Sequence, residues 1–334
     1  MQRRAVLCLG VGLLSALVAG CSPPRAGSAR SGAPDAKAAD KGKKFYWVQP
    51  LKGHPVHQLT QTAFRAGCQK LGYECEVVGT DGPDIAGTVS LAEQALAKGD
   101  AAGMAIWTGN PSYNPLIEKA AKAGVPVVLP HFVAPEGSIP GVKGIISCDP
   151  EAYAKEVALR IGEAIHGTGT VAVTQGSFNT TENTVAETFK KTITEKYPQV
   201  KVLAPEEEGF DQSQAIAKGV SILQAHPDVV AAFSTTGGGP TTWAGAQKEA
   251  GRKIVSVGMD YTRVNLDLVK DGSVFAVVAQ PLWDESFGAA ELLDKVARGE
   301  KLPWWTKLPA PFLTKADLGP YYALLDRVEA SLNR

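Results

Sequence analysis

From Phe45 onward one pattern recurs: a short apolar or β-branched run ends in small or polar residues, and an amphipathic helix follows. The runs occupy residues 45–48, 76–78, 101–107, 125–129, 144–147, 170–174, 200–204, 229–234, 254–258 and 274–279. Near-continuous apolarity, rather than alternation, marks strands buried on both faces. Between the runs, apolar residues recur at the helical period. Ala154, Val157, Ala158, Ile161, Ala164 and Ile165 form one stripe, Val185, Phe189 and Ile193 a second, Ile216, Val220 and Leu223 a third. Strand and helix alternating at this spacing demand parallel sheets with right-handed crossovers. Ten strands exceed one small sheet, so the spacing predicts an α/β chain of two doubly wound, Rossmann-like lobes.

The start of the chain lies outside that pattern. Residues 1–20 hold Arg3 and Arg4, then an apolar run from Ala5 to Ala19. The run falls short of the roughly 20 residues that a spanning helix needs and reads as an export signal. Val18, Ala19, Gly20 and Cys21 resemble the bacterial lipobox, in which the cysteine is lipidated and becomes the first mature residue. The alternative is ordinary cleavage beside an incidental Cys21. Residues 22–44 contain no large apolar residue and are rich in Pro, Gly, Ser, Ala and charge, so 21–44 reads as a disordered tether behind the lipidated cysteine. About 290 residues remain, a length that favours two lobes over one core.

The 34 basic residues balance 34 acidic ones, and the longest run of one sign is Glu206, Glu207 and Glu208, read as a solvated strand end. Nucleic acid, which needs a basic face, is not an expected partner. Of five cysteines, Cys68, Cys75 and Cys148 belong to the folded part. Cys68 closes a helix and Cys75 opens the next strand, so the two are either bridged across one tight turn or are two small buried hydrophobes.

Ligands of doubly wound sheets sit beyond the carboxyl ends of the strands. Those ends supply Gln49, Pro50, His54 and His57; Trp107, Thr108, Gly109 and Asn110; Pro130, His131 and Phe132. The second half supplies residues 175–179 with Asn179, then 209–211 with Phe210, Thr235, Thr236 and Gly237, Asp260 and Tyr261, and Gln280 to Trp283. Aromatic rings, amides, hydroxyls, imidazoles and a single carboxylate suit a neutral polyhydroxy ligand, whose C–H faces stack on rings. The set lacks the Arg and Lys expected for a phosphate or dicarboxylate.

Several stretches carry a wider likeness: ALAKGDAAGMAIW, LIEKAAKAGVPVVLPHF, ILQAHPDVVAAFSTT, GAQKEAGRKIVSVGMDYT and LVKDGSVFAVVAQPLWDESFGAAELL. In this order the chain resembles the ribose/galactose type of periplasmic sugar-binding protein, the type I solute receptors of ABC transporters. The resemblance implies two lobes joined by three crossing segments, near Cys148 and Asp149, near Ala279 and Gln280, and near Trp304 and Trp305. The first lobe is then 45–148 plus 281–305, and the second 149–280 plus 306–334. It further implies that Asp260 accepts ligand hydroxyls, that Gln280 is the hinge amide and that Phe210 stacks on the sugar ring.

Elsewhere the chain departs from the family pattern. His131 and Phe132 replace Asp-Arg or Asp-Lys, Asn183 and Val185 stand near an expected arginine, and Thr236 and Gly237 replace Asn-Asp. His54, Val56 and His57 replace an asparagine and two aromatics. These exchanges point to a less common sugar, a polyol or another small, flatter ligand.

His54, His57 and His131 all follow first-lobe strands and so form either pocket-lining hydrogen bonders or structural caps; they lack the spacing of a zinc site. The stretch TTGGGPTT lacks the ending of a phosphate loop and reads as a turn into a helix begun by Pro240. Trp304 and Trp305 read as hinge packing. No nucleophile elbow or catalytic set stands out, so no enzyme, cofactor or metal is expected. The expected protein is a monomeric, lipid-anchored receptor in the periplasm or at the cell surface that hands a sugar or polyol to an ABC permease. A sensory receptor of the same fold, or a binder of a non-sugar small molecule, are the alternatives.

Overall fold

The buried runs become strands and the striped segments pack over them. A computed structural model describes residues 44–332. The export segment, Cys21 and the tether up to residue 43 lie outside the described residues. In chain order the elements are β1 (Lys44–Val48), α1 (Pro55–Leu71), β2 (Glu74–Val78), α2 (Ile85–Ala97), β3 (Ala101–Ile106), α3 (Asn114–Lys122), β4 (Val127–Pro130) and β5 (Val142–Cys148). Then come α4 (Pro150–Ala164), β6 (Thr168–Gln175), α5 (Thr180–Lys196), β7 (Gln199–Val202), β8 (Glu206–Glu207), α6 (Gln212–Ala225), β9 (Val229–Ser234) and α7 (Gly239–Ala250). The chain ends with β10 (Val255–Met259), α8 (Arg263–Asp271), β11 (Ala276–Val278), α9 (Leu282–Ala297), β12 (Trp305–Leu308), β13 (Phe312–Leu313) and α10 (Gly319–Leu332).

Two sheets form. The first runs β12-β5-β4-β3-β1-β2, with every pair parallel. The second runs β13-β11-β10-β9-β6-β7, with β8 also on β6 and only β11–β13 antiparallel. Each therefore has the doubly wound order whose first strand sits beside its third, leaving a crevice at β1/β3 in one lobe and β6/β9 in the other. Apolar side chains fill both faces, with Trp47 and Phe64 on one side of the first sheet and Tyr46 and Met104 on the other.

Helix α9 returns to the first lobe after β11 and packs along α1. Gly67 permits the approach, because a Cβ there would lie 2.8 Å from the Phe287 carbonyl oxygen and 2.9 Å from the Ala290 methyl. Cys68 and Cys75 join the end of α1 to β2 through a disulfide, with Cα atoms 6.2 Å apart.

Ten strands match the ten apolar runs, and three more appear among the described residues. β12 carries Trp305–Leu308 along β5 in the first sheet, so the third passage between sheets falls at 309–311, not near Trp304 and Trp305, and residues 306–308 belong to the first lobe. The tryptophans fix that edge: Trp304 Nε1 donates to the Ala134 carbonyl and Trp305 Nε1 to Ser147 Oγ. Lys44, assigned to the tether, opens β1. Glu206 and Glu207 pair on β6 and keep the half-exposed and exposed places of a solvated strand end, but Glu208 does not. Glu208 is only 5% exposed and accepts hydrogen bonds from Ser234 and Thr242, while burial raises its carboxyl pKa.

Candidate functional site

The strand-end crevices of the two sheets face a common cavity of about 490 Å³. It is lined from the first lobe by His54, His57, Trp107 and His131, and from the second by Glu182, Phe210, Thr236 and Asp260, with Gln280 from the second passage between lobes. Of the four non-glycine residues with left-handed backbone among those described, Leu51, His131 and Asp260 line this cavity. Such conformations cost about 1–3 kcal/mol each and collect where function needs them.

The first-lobe wall is a chain of rings. His54 and His57 meet edge-on at 5.5 Å between centroids, His57 lies 5.9 Å from Trp107, and Trp107 stacks on His131 at 4.1 Å. Phe132 closes the row, 5.0 Å from His131. His57 Nδ1 is 2.7 Å from the Pro50 carbonyl oxygen. A carbonyl can only accept, so Nδ1 carries the proton and Nε2 is left as an acceptor. Burial, with His54 and His131 nearby, pushes His57 down to about 4. Burial also lowers His54, whose Nδ1 is enclosed without a partner. His54 is the N-cap residue of α1, yet its side chain makes no capping bond. Gln49, at the end of β1, is spent on a buried network with Trp47, Thr60 and Gln61 beneath this loop.

His131 differs from the other two. Burial opposes its charge, but the Glu285 carboxylate, with Oε1 2.7 Å from Nδ1, reverses that and raises its pKa. Glu285 comes from the first turn of α9 and is fully buried.

The second-lobe wall is acidic. Asp260, 4% exposed, is pushed up to about 7 by burial, with His131 pulling down and Glu285 and Glu182 pushing up. Its Oδ1 has no hydrogen-bond partner. Its backbone is held by N–H donation to the Val278 carbonyl and by Asn265, whose Nδ2 reaches the carbonyls of Gly237, Met259 and Asp260. Glu182 is likewise raised to about 7 by burial. It accepts from Gly176 N and Thr235 Oγ1 at 2.7 Å each and from Asn179 Nδ2 at 2.9 Å. Phe178 and Phe210, 57% and 47% exposed, stand at the mouth.

Nine of the ten ligand-binding candidates from sequence line the cavity; Asn183 does not. Its Oδ1 accepts from Gln175 Nε2, one turn into α5 and behind the wall. Asn179 lines the cavity, but its amide is committed to capping α5 and to Ser177 and Glu182. Sequence reasoning passed over Glu182 and Glu285, because each lies on a helix just past a strand-end loop. Glu182 had a signal: Asn179 and Glu182 have capping-box spacing, Asn-x-x-Glu, at the start of α5. Among the described residues no group of three or more His, Cys, Asp or Glu is arranged to hold a metal ion.

The family model described as a periplasmic binding protein domain matches residues 45–301. The chain belongs to this family. Membership implies a place outside the cytoplasm and a role in holding solutes; the curated relatives are import binding proteins, not enzymes. A D-apiose import binding protein of Actinobacillus succinogenes is 26% identical over 264 residues, covering 75% of this chain and 81% of its own. A ribose import binding protein of Salmonella typhimurium is 35% identical over 104 residues, 30% of this chain and 34% of its own. Among solved structures, a glucose-galactose binding protein from Geobacillus stearothermophilus superposes with a TM-score of 0.77 at 20% identity, covering 84% of this chain and all of that one. A solute-binding protein from Burkholderia graminis in complex with D-arabinose also gives 0.77, at 21% identity over 84% and 98% of the two chains. This family's fold accounts for the facing crevices, since both sheets share one strand order. No helix among the described residues is long and apolar enough to cross a membrane.

Proposed function

We propose that this periplasmic binding protein is the solute receptor of an ABC importer and holds a monosaccharide or sugar-like molecule between its lobes. One observation carries the reading: a ring-lined cavity lies at the facing strand ends, with Asp260, whose buried Oδ1 has no hydrogen-bond partner, among its lining residues. A buried acceptor without a donor costs about 1–3 kcal/mol, which a ligand hydroxyl or amine recovers. Rings beside it cover the C–H faces of a pyranose or furanose. The D-apiose and ribose import proteins among the relatives support a sugar-like ligand.

Three segments pass between the lobes, and a ligand touching both walls favours the closed arrangement by its differential contacts. The receptor works as a monomer and needs no chemistry of its own. Cys21, following Val18, Ala19 and Gly20, is the site of a lipid anchor that keeps it at the membrane beside its permease. Thermal-shift and calorimetric titration against pentoses, hexoses and polyols tests the ligand class; no response to any of them refutes the sugar part. Labelling of cells with a radioactive fatty acid should mark the wild type and leave Cys21→Ala unlabelled.

A further inference from the structure

The titratable residues lining the cavity are His54, His57, His131, Tyr153, Glu182 and Asp260, and neither lysine nor arginine is among the lining residues. Burial keeps His54 and His57 neutral. His131 is held toward its charged form by Glu285, whose Oε1 sits 2.7 Å behind it. That leaves the carboxyls of Asp260 and Glu182, each held at about 7 by burial, with no lysine or arginine in the lining; a ligand cation between them would draw both into their charged forms. Buried charges are ordinarily paired.

Hydrogen-bonding capacity is skewed in the same direction. Asp260 Oδ1 is enclosed and unpartnered in a side chain 4% exposed. Glu182 receives three bonds, all from neutral donors (Gly176 N, Thr235 Oγ1 and Asn179 Nδ2). The His57 ring, with Nδ1 donating to Pro50, offers only an acceptor. An ammonium group carries three donors and no acceptor, and so suits a lining of this kind. Aromatic rings lining the same cavity also suit a cation, through the ring quadrupole.

We propose that the ligand of this cleft carries a protonated amine on a polyhydroxy frame, an amino sugar or amino polyol whose ammonium is received by Asp260 and Glu182. The inference rests on the reading of the cleft as a sugar-type site and narrows it to one chemical class. The rings of the first lobe take the carbon frame, Gln280 and Thr236 serve its hydroxyls, and the acidic wall of the second lobe takes the charge.

Matched pairs test it. The exported protein, purified in detergent, is titrated calorimetrically at pH 7 with D-glucosamine and D-glucose, D-galactosamine and D-galactose, D-mannosamine and D-mannose, and 1-amino-1-deoxy-D-sorbitol and D-sorbitol. At least one amine should bind about tenfold or more tightly than its hydroxyl partner, the margin of a charge-assisted over a neutral hydrogen bond. Asp260→Asn and Glu182→Gln should each erase that preference; circular dichroism shows whether the variants are folded. If a variant fails to fold, the wild-type ratio alone decides. Hydroxyl members that bind as well as or better than their amines overturn the inference and leave the sugar reading standing. Silence across the whole panel overturns the amine inference, and silence of the wider pentose, hexose and polyol titration as well overturns both.

Discussion

His131 Nδ1 lies 2.7 Å from Glu285 Oε1, tying the loop after β4 to the first turn of the helix that re-enters the first lobe. The same imidazole stacks on Trp107 at 4.1 Å, so one ion pair fixes the floor of the ring wall. Removing one partner of a buried pair costs roughly 3–5 kcal/mol when a charge is stranded, but an imidazole can shed its proton. Glu285→Gln is therefore expected to destabilise the protein by about 1–2 kcal/mol. The folded-state pKa of His131 is raised, so this stabilisation is full at acidic pH and is lost as pH rises through that value. Urea unfolding should show a larger deficit at pH 6 than at pH 9. A deficit that is absent at pH 6, or that grows with pH, contradicts the pair.

Asp260 gives a pH dependence by the opposite chemistry but the same sign. Its carboxyl is raised to about 7 in the folded protein, with His131, Glu285 and Glu182 as the groups that face it. A raised carboxyl contributes full stability below its unfolded value and loses it as pH climbs through about 7. The ligand-free wild type is thus expected to weaken between pH 4 and 8. Asp260→Asn, whose amide tolerates the left-handed backbone at φ 72°, removes the penalty. The variant should exceed the wild type by on the order of 2 kcal/mol at pH 8, match it near pH 4, and bind ligand more weakly. Equal melting curves for the two proteins at pH 8 would remove the stored strain from the account.

Legibility followed burial. The strands buried on both faces announced themselves by continuous apolarity, and their order fixed the cavity's address. What escaped was short and at sheet edges: β8 is two glutamates, β13 two residues after Pro311, and β12 a polar stretch beginning at Trp305. Such segments bury one face or none, so they carry no periodic signal. The site divides the same way. Residues on strand-end loops, such as Trp107, Asp260 and Gln280, were visible, whereas Glu182 and Glu285 act from first helical turns, where an acidic residue is routinely explained by the helix dipole.

His54 and His57 share a loop but should separate in a mutational test. His57 is anchored to Pro50 and packs toward Trp107, so His57→Ala is expected to cost about 2 kcal/mol of stability and roughly tenfold in affinity. His54 makes no capping bond and is half-buried, so His54→Ala should change stability by no more than about 0.5 kcal/mol while weakening binding severalfold. Chemical denaturation paired with calorimetry reads both quantities. Unchanged affinity in both variants returns the pair to a purely structural role.

Gly237 stands where the two lobes touch across the cleft. A Cβ there would lie 2.4 Å from Asp260 Oδ2 and 3.0 Å from Val56 Cγ2, the first in its own lobe and the second on α1 of the other. The carboxylate can swing aside, at the expense of its place in the cavity; Val56, fixed on a helix, cannot do so without opening the lobes. Gly237→Ala should therefore act on the closed arrangement more than on folding. Overpacking of this kind costs about 1–3 kcal/mol, which corresponds to a tenfold or greater loss of affinity. Small-angle scattering should show the wild type contracting when ligand is added and the variant contracting less, with ligand-free melting temperatures within a few degrees of each other. Wild-type affinity in Gly237→Ala would mean that this contact does not belong to the bound state. A large drop in ligand-free stability would place the clash within the second lobe, against Asp260 alone.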